Sequence, residues 1–249
     1  MGTGTSHARG GGAKVTSTKS GGWDKGKMFS GRPIDEWDYS GDGEEEKKWF
    51  KANTNNYDLM DEIAKDKDAS DAFHDWASGH FMSGQQYRGF DNMSDYDQEL
   101  TRELDKWLDR SEVRSTLTVC RSSTPELVLG KGRTTATLAE MQAMQGSVVQ
   151  SKGCMSTGAA AEGLGIGSKY RKPIDYVITI PGGSKGAGMY IGSKRVNGWG
   201  HKQREFITNR DSFFKVGRSW EEGGVIKTEL LWDGLGAHDY GKKGTKKRK

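Results

Sequence analysis

Hydrophobic residues recur along the chain with two different periods, and the change falls near residue 113. Before it, apolar residues are spaced three and four apart, as on one face of a helix. Ser94 stands directly before one such run and is suited to be its N-cap. The helical pattern occupies the segments 44–67, 69–82 and 94–110. Together these segments predict a helical lobe over residues 44–112.

After residue 113 apolar and polar residues tend to alternate, which is typical of half-buried strands. One short helix is predicted at 134–145, with Thr134 or Thr135 as its N-cap. The predicted strands are 115–123, a strand within 146–160, 176–180, 188–192, 204–208, 213–217 and 225–232. Because most of these strands follow one another without a helix between them, the pattern predicts an α+β fold and excludes a doubly wound sheet.

Composition limits where a packed core can form. Only 33% of the 249 residues are hydrophobic, 36 are glycine, and the mean hydropathy is −0.82. Residues 1–43 are mostly Gly, Ser, Thr and Lys, so we predict that they are disordered. A single domain is predicted over residues 44–240, made of a helical lobe at 44–112 and a β core at 113–240. Residues 241–249 form a basic tail.

The net charge of +4 hides an uneven distribution. The last eight residues carry six positive charges and no negative one, so the chain without them has a net charge of −2. Such basic ends are usually solvated, and in some proteins they contact nucleic acid. Two cysteines imply no disulfide framework, and the five histidines lack the spacing of metal ligands. No secretory signal or apolar run of membrane-spanning length is visible, so we expect a cytoplasmic protein without membrane or metal.

Three polar motifs follow one another in the β-rich half. Arg121 ends an apolar strand, Ser156 and Thr157 precede a glycine, and Gln203 lies two residues before Glu205 at the start of a strand. Each has an ordinary structural explanation. An arginine there can pair with a structural carboxylate, the Ser-Thr pair can form a turn, and a Gln-x-Glu strand can be a solvated edge.

In this order the motifs resemble the Arg–Ser–Glu class of mono-ADP-ribosyltransferases. The segments that carry the resemblance are KGCMSTG, KPIDYVITIPGGSKGAGMYIG and QREFITNRDSFFKV, within residues 110–217. The resemblance implies an N-terminal helical lobe followed by a mixed or antiparallel β-sandwich core. It also implies an enzyme that takes NAD as substrate, releases nicotinamide and moves ADP-ribose to an acceptor.

The resemblance also implies roles for individual residues. Glu205 would stabilise the positive charge that develops on the ribose as the bond to nicotinamide breaks. We expect this carboxylate in a solvent-accessible cleft. Ser156 would orient Glu205 or the ribose, and Thr157 would pack behind it. Arg121 would bind the NAD phosphates as a bidentate donor.

Two further residues belong to the cofactor-binding set that the resemblance implies. In the family, an aromatic residue and an arginine after the Ser-Thr strand stack on nicotinamide and contact phosphate. Tyr170 and Arg171 are the candidates here, with Lys172 as the alternative cation.

Departures from the family pattern bear on the acceptor. Gly158 replaces a serine that is usual in the family, and Gln203 replaces the glutamate of arginine-modifying relatives. A neutral amide suits an amide, a thiol or a nucleobase edge. Trp199 either contacts the acceptor or covers the sheet edge. We expect this protein to be an effector, toxin or phage protein whose acceptor is a host protein. The alternatives are guanine in nucleic acid, or an idle virion-associated module that binds nucleic acid.

Overall fold

The computed structural model describes residues 44–78, 89–159, 172–192 and 205–240. Within these ranges the helices precede most of the strands, and the strands form a large mixed sheet. The predicted α+β fold class is confirmed. Over the same ranges, none of the helices is long and apolar enough to cross a membrane.

The helical segments agree with the sequence pattern except at three points, one of which is that the short helix Glu126–Leu129 was not predicted. The described helices are α1 (Glu44–Asn53), α2 (Asn56–Ile63), α3 (Lys67–Ser78), α4 (Asp95–Leu108), α5 (Glu126–Leu129) and α6 (Leu138–Ala143). The first predicted segment is broken between α1 and α2, because the backbone of Thr54 forms a bridge with Val113. Helix α6 is capped by Thr137 and not by Thr134 or Thr135. Thr137 has a glutamate, Glu140, three residues later and forms a reciprocal capping box with it.

The cap predicted for the longest helix is confirmed. The hydroxyl of Ser94 accepts a hydrogen bond of 3.1 Å from the backbone N–H of Asp97 at the start of α4. This bond satisfies one of the amide groups that a helix N-terminus leaves without an internal acceptor.

Eight of the described strands form one mixed sheet. The ten described strands are β1 (Glu112–Val113), β2 (Leu117–Ser123), β3 (Val148–Gln150), β4 (Met155–Gly158), β5 (Ile174–Ile180), β6 (Ser184–Lys185), β7 (Gly188–Tyr190), β8 (Glu205–Thr208), β9 (Ser212–Glu222) and β10 (Val225–Leu235). The order in the large sheet is β3-β9-β10-β5-β2-β4-β8-β7, and β1 and β6 form a separate two-stranded sheet. Strands β5 and β10 are parallel, and the other described pairs are antiparallel.

The large sheet has two parts that meet between β2 and β4. In the described strands this junction consists of the single residue pair Cys120–Gly158, whereas β2 and β5 are paired along the whole of β2. Buried side chains from both parts share one core, among them Leu117 from β2, Phe206 from β8 and Tyr190 from β7. The two parts therefore enclose a common core, as in the predicted β-sandwich.

A second core lies between the helices and the β4-β8-β7 part of the sheet. It contains Phe73 and Trp76 of α3, Leu104 of α4, and Ile207 of β8. Successive residues of a strand point to opposite faces. Strand β8 thus places Phe206 in the first core and Ile207 in the second. Glu205, two residues before Ile207, is on the face of β8 that meets the helices.

Candidate active site

Three neighbouring strands bring Arg121, Ser156 and Glu205 to one place. Arg121 is on β2, Ser156 on β4 and Glu205 on β8, and the sheet order places these strands side by side. In the β4–β8 pairing Gly158 lies directly opposite Glu205. Ser156 is two residues from Gly158 and therefore on the same face, as a diagonal neighbour of Glu205.

The carboxylate of Glu205 is buried, with only 2% of the residue exposed. The Ser156 hydroxyl donates a hydrogen bond to its Oε1 atom. The indole Nε1 of Trp76 donates to the same oxygen at 2.9 Å. The expectation of a solvent-accessible carboxylate was therefore wrong. Helix α3 lies against this face of the sheet, and its Trp76 side chain covers the start of β8.

Strand β8 is also not the solvated edge that a lone Gln-x-Glu pattern suggests. It lies between β4 and β7, and every residue from Glu205 to Thr208 is buried. The close approach of β7 depends on Gly188. A Cβ there would lie 2.2 Å from the carbonyl oxygen of Ile207, far inside van der Waals contact.

Arg121 lies beside the Ser156–Glu205 pair. Its Nη1 atom donates a hydrogen bond of 2.7 Å to the backbone carbonyl of Ser156, and the side chain is partly buried. Burial raises the pKa of Glu205 above its ordinary value. The hydrogen bonds from Ser156 and Trp76 and the charge of Arg121 oppose this rise without cancelling it.

Thr157 lies behind the site. Successive strand residues alternate between faces, so its side chain is on the side of β4 opposite to Ser156. It is fully buried, and its hydroxyl donates a hydrogen bond of 2.5 Å to the carbonyl of Phe206. Thr157 thus ties β4 to β8 on the core side.

Four of the predicted site residues lie outside the described ranges: Tyr170, Arg171, Trp199 and Gln203. Their roles in cofactor binding, acceptor recognition and catalysis stay predictions. Glu205 is the first described residue after Trp199 and Gln203.

The sequence did not single out Trp76 as a functional residue. In the helical pattern of residues 69–82, Trp76 is only an apolar position on the same side as Phe73. The two partners Trp76 and Glu205 are 129 residues apart, so no local pattern relates them.

A buried ionic cluster beyond the end of β8, at Arg210, was also missed. The guanidinium of Arg210 contacts the Asp105 carboxylate with Nη2 at 2.7 Å and Nε at 2.9 Å. Its Nη1 donates to Asp211 at 3.0 Å. His238 lies between Asp211 and Asp109. The cluster joins α4, the β8–β9 turn and the segment after β10. Within the described residues, no group of His, Cys, Asp and Glu is arranged to hold a metal ion.

Arg121, Ser156 and Glu205 together place a positive and a negative group side by side. The arrangement presents a half-buried guanidinium next to a carboxylate from which most water is excluded. In such surroundings a carboxylate interacts with a nearby positive charge far more strongly than it does in water. The site therefore suits a ligand with an anionic part near Arg121 and a centre near Glu205 that gains positive charge.

No model of a known protein family matches the sequence, and the comparison with curated proteins found no match. The fold, however, is similar to solved structures. C3stau2 of S. aureus, solved with NAD, is 16% identical with a TM-score of 0.59, over 85% of this chain and 100% of that one.

Two further structures are similar in the same way. Plx2a, an ADP-ribosyltransferase toxin of Paenibacillus larvae, is 15% identical with a TM-score of 0.61, over 77% of this chain and 96% of that one. The C3 exoenzyme of Clostridium limosum is 15% identical with a TM-score of 0.58, over 84% of this chain and 98% of that one. At these identities the likeness is one of fold. The chain thus has an α+β fold similar to that of ADP-ribosyltransferase toxins such as Plx2a.

Proposed function

We propose that the protein is an NAD-dependent mono-ADP-ribosyltransferase that transfers ADP-ribose to an acceptor and releases nicotinamide. One observation carries the proposal: Arg121, Ser156 and Glu205 lie on three adjacent strands and are linked by hydrogen bonds. These are the residues that the sequence resemblance assigns to NAD binding and catalysis. The similarity of the fold to toxins such as Plx2a supports the same reading.

The side chains at the site match the chemical groups of NAD. The dinucleotide carries two phosphates, and a guanidinium is the side chain best suited to bind phosphate oxygens in a fork. Arg121 supplies this group. The nicotinamide ribose offers hydroxyl donors and gains positive charge when its bond to nicotinamide breaks. Glu205 supplies the matching acceptor and negative charge.

Glu205 acts through a charge that is already in place before the reaction. Fixed charges in a site from which water is excluded stabilise developing charge without first having to reorganise. Ser156 holds the carboxylate in position, and Arg121 holds the carbonyl of Ser156. The three residues thus form one connected unit, in which each member fixes the next.

The acceptor is proposed to be a host protein, and the enzyme an effector or toxin that acts inside the host cell. Gln203 supports an acceptor group other than a guanidinium, because its amide offers hydrogen bonds without charge. The same property keeps a guanine base as the second candidate acceptor. We assign the basic ends to nucleic-acid contact, separate from the chemistry at Glu205.

The test is nicotinamide release from NAD by the full chain and by Glu205→Gln. We expect wild type to release nicotinamide and the variant to be about 10²–10³-fold slower, since it loses a charge that acts in the transition state. Glu229→Gln is the matched control, because Glu229 is also buried but is paired with Arg218 on the other part of the sheet. Absence of nicotinamide release by wild type contradicts the proposal and favours the idle binding module.

The acceptor is identified with labelled NAD in a host lysate, with and without nuclease. Label that remains on protein after nuclease treatment supports a protein acceptor. Label that nuclease removes identifies nucleic acid instead.

A further inference from the structure

We propose that Trp76 is a positioning residue for Glu205, and that its indole N–H selects which carboxylate oxygen faces the substrate. The inference rests on the proposed function, because it assigns Trp76 a part in the same reaction. It comes from the contact between the helical lobe and strand β8.

The geometry distinguishes the two oxygens of Glu205. Trp76, in the last turn of α3 and 7% exposed, donates to Oε1 at 2.9 Å. The Ser156 hydroxyl donates to the same oxygen. Among the described residues no donor reaches Oε2. The two hydrogen bonds from described residues therefore converge on Oε1, and the proposal assigns Oε2 as the acceptor for a substrate hydroxyl.

Two donors on one oxygen fix the orientation of the carboxylate. The terminal torsion of a glutamate is broad, so a carboxylate with one donor can rotate and exchange its oxygens. Trp76 approaches from a helix and Ser156 from a neighbouring strand, so rotation would break both bonds. The plane of the carboxylate is therefore set by the protein before substrate binds. Such preorganisation is what an electrostatic contribution to catalysis requires.

Trp76 also favours the ionised form of Glu205. Burial raises the pKa of this carboxyl, and the Trp76 hydrogen bond is one of the interactions that oppose the rise. Loss of the indole N–H therefore raises the pKa further. A role of Trp76 in packing alone would not change the titration of Glu205 in this way.

The test compares Trp76→Phe with Trp107→Phe in nicotinamide release from NAD. Trp107 is the matched control. It is 4% exposed and belongs to the same core, but its buried Nε1 has no hydrogen-bond acceptor in the described structure. Both variants keep an aromatic ring and lose an indole N–H. Only the first of them loses a hydrogen bond to a carboxylate.

We expect Trp76→Phe to lower kcat about 10- to 100-fold, the effect of one hydrogen bond to a charged group, with little change in KM for NAD. The acid limb of its pH–rate profile should move to higher pH. Trp107→Phe should keep the wild-type kcat and acid limb. If both variants behave alike while wild type is active, the Trp76 proposal is overturned and the proposed function stands.

A second measurement judges the contact independently of activity. In wild type labelled with ¹⁵N at the indole nitrogens, one indole N–H signal should follow the titration of Glu205. The signal should no longer titrate in Glu205→Gln. If no indole signal follows that titration, the proposal is overturned. If one does while wild type releases no nicotinamide, the contact is supported and the proposed function alone fails.

Discussion

The Nη1 atom of Arg121 donates a hydrogen bond of 2.7 Å to the backbone carbonyl of Ser156. This bond crosses from β2 to β4, where the two parts of the sheet are joined in the described strands by the single pair Cys120–Gly158. Arg121 therefore does more than present a positive charge. Its guanidinium holds the strand that carries Ser156, and Ser156 in turn holds Glu205.

Arg121→Lys should weaken NAD binding while the protein stays folded. Lysine keeps the charge but has no planar fork, so it cannot hold the Ser156 carbonyl and a phosphate in the same geometry. Loss of one charge-assisted hydrogen bond corresponds to an increase in Kd of about tenfold or more. Calorimetry with NAD measures the change. Arg133→Lys is the control, because Arg133 forms an exposed ion pair with Glu140 away from the site. Equal Kd values for Arg121→Lys and wild type would exclude the phosphate role.

Glu205→Gln should stabilise the fold at neutral pH although it removes activity. A glutamine carbonyl at the Oε1 position can still accept from Trp76 and Ser156, while the cost of burying a charge disappears. The gain should appear as a higher Tm, by about 2–4 °C for each kcal/mol in a chain of this size.

The pH dependence of this Tm gain follows from the pKa of Glu205, which burial raises. In the folded state the carboxyl holds its proton to higher pH than in the unfolded chain. Its contribution to stability is therefore complete below the unfolded pKa and is lost as pH rises through the folded pKa. The Tm advantage of Glu205→Gln should be small in acid and larger at pH 8. Thermal unfolding at both pH values measures it, and an advantage that shrinks as pH rises would contradict the burial argument.

The sequence predicts much of the fold because local pattern and burial agree there. Strand β5 is buried along its whole length, and the run 176–180 consists largely of β-branched and aromatic residues. The Ser94 cap is a local interaction and was found for the same reason. The N-cap of α6 was assigned to the wrong threonine, because Thr134, Thr135 and Thr137 are all suitable residue types. Only the capping box with a glutamate three residues on distinguishes Thr137.

The site could be predicted only in part. The resemblance to the Arg–Ser–Glu class grouped Arg121, Ser156 and Glu205, but the burial of Glu205 was not foreseen. That burial depends on a tryptophan 129 residues away in sequence, whose position is decided by how α3 packs on the sheet. The same limit applies to Arg210 and Asp105, which are 105 residues apart. Contacts at such separations arise from tertiary packing and leave no periodic signal.

Gln203→Glu should raise transfer to small guanidines such as agmatine, which wild type should modify poorly. A guanidinium is always charged and needs a carboxylate to orient it and to accept a proton. Position 203 lies outside the described residues, so the prediction rests on its place two residues before Glu205 in the sequence. Labelled NAD and agmatine with both proteins provide the assay, and NAD hydrolysis is the control because it depends on Glu205. Efficient agmatine modification by wild type would show that Gln203 does not set acceptor choice.

His238 holds the segment after β10 against the helical lobe. Its side chain is 8% exposed, with Nε2 at 2.9 Å from the Asp109 carboxylate and Nδ1 at 3.3 Å from Asp211. Burial alone would lower the pKa of His238. Hydrogen bonds to Asp109 and Asp211, together with the charges of Asp105 and Asp109, more than offset this and raise it to about 9. His238 is therefore protonated at neutral pH.

The free energy of unfolding should consequently fall as the solution becomes alkaline. An unfolded histidine has a pKa of about 6.5, so the stabilisation by His238 is complete below that pH and is lost as pH rises through about 9. The pKa difference corresponds to a loss on the order of 3 kcal/mol. Urea unfolding from pH 6 to 10 should show this loss in wild type and a flatter profile in His238→Gln. His74→Gln, on the exposed side of α3, is the control and should follow wild type. If wild type and His238→Gln lose stability in parallel over this range, the ion pairs of His238 do not stabilise the fold.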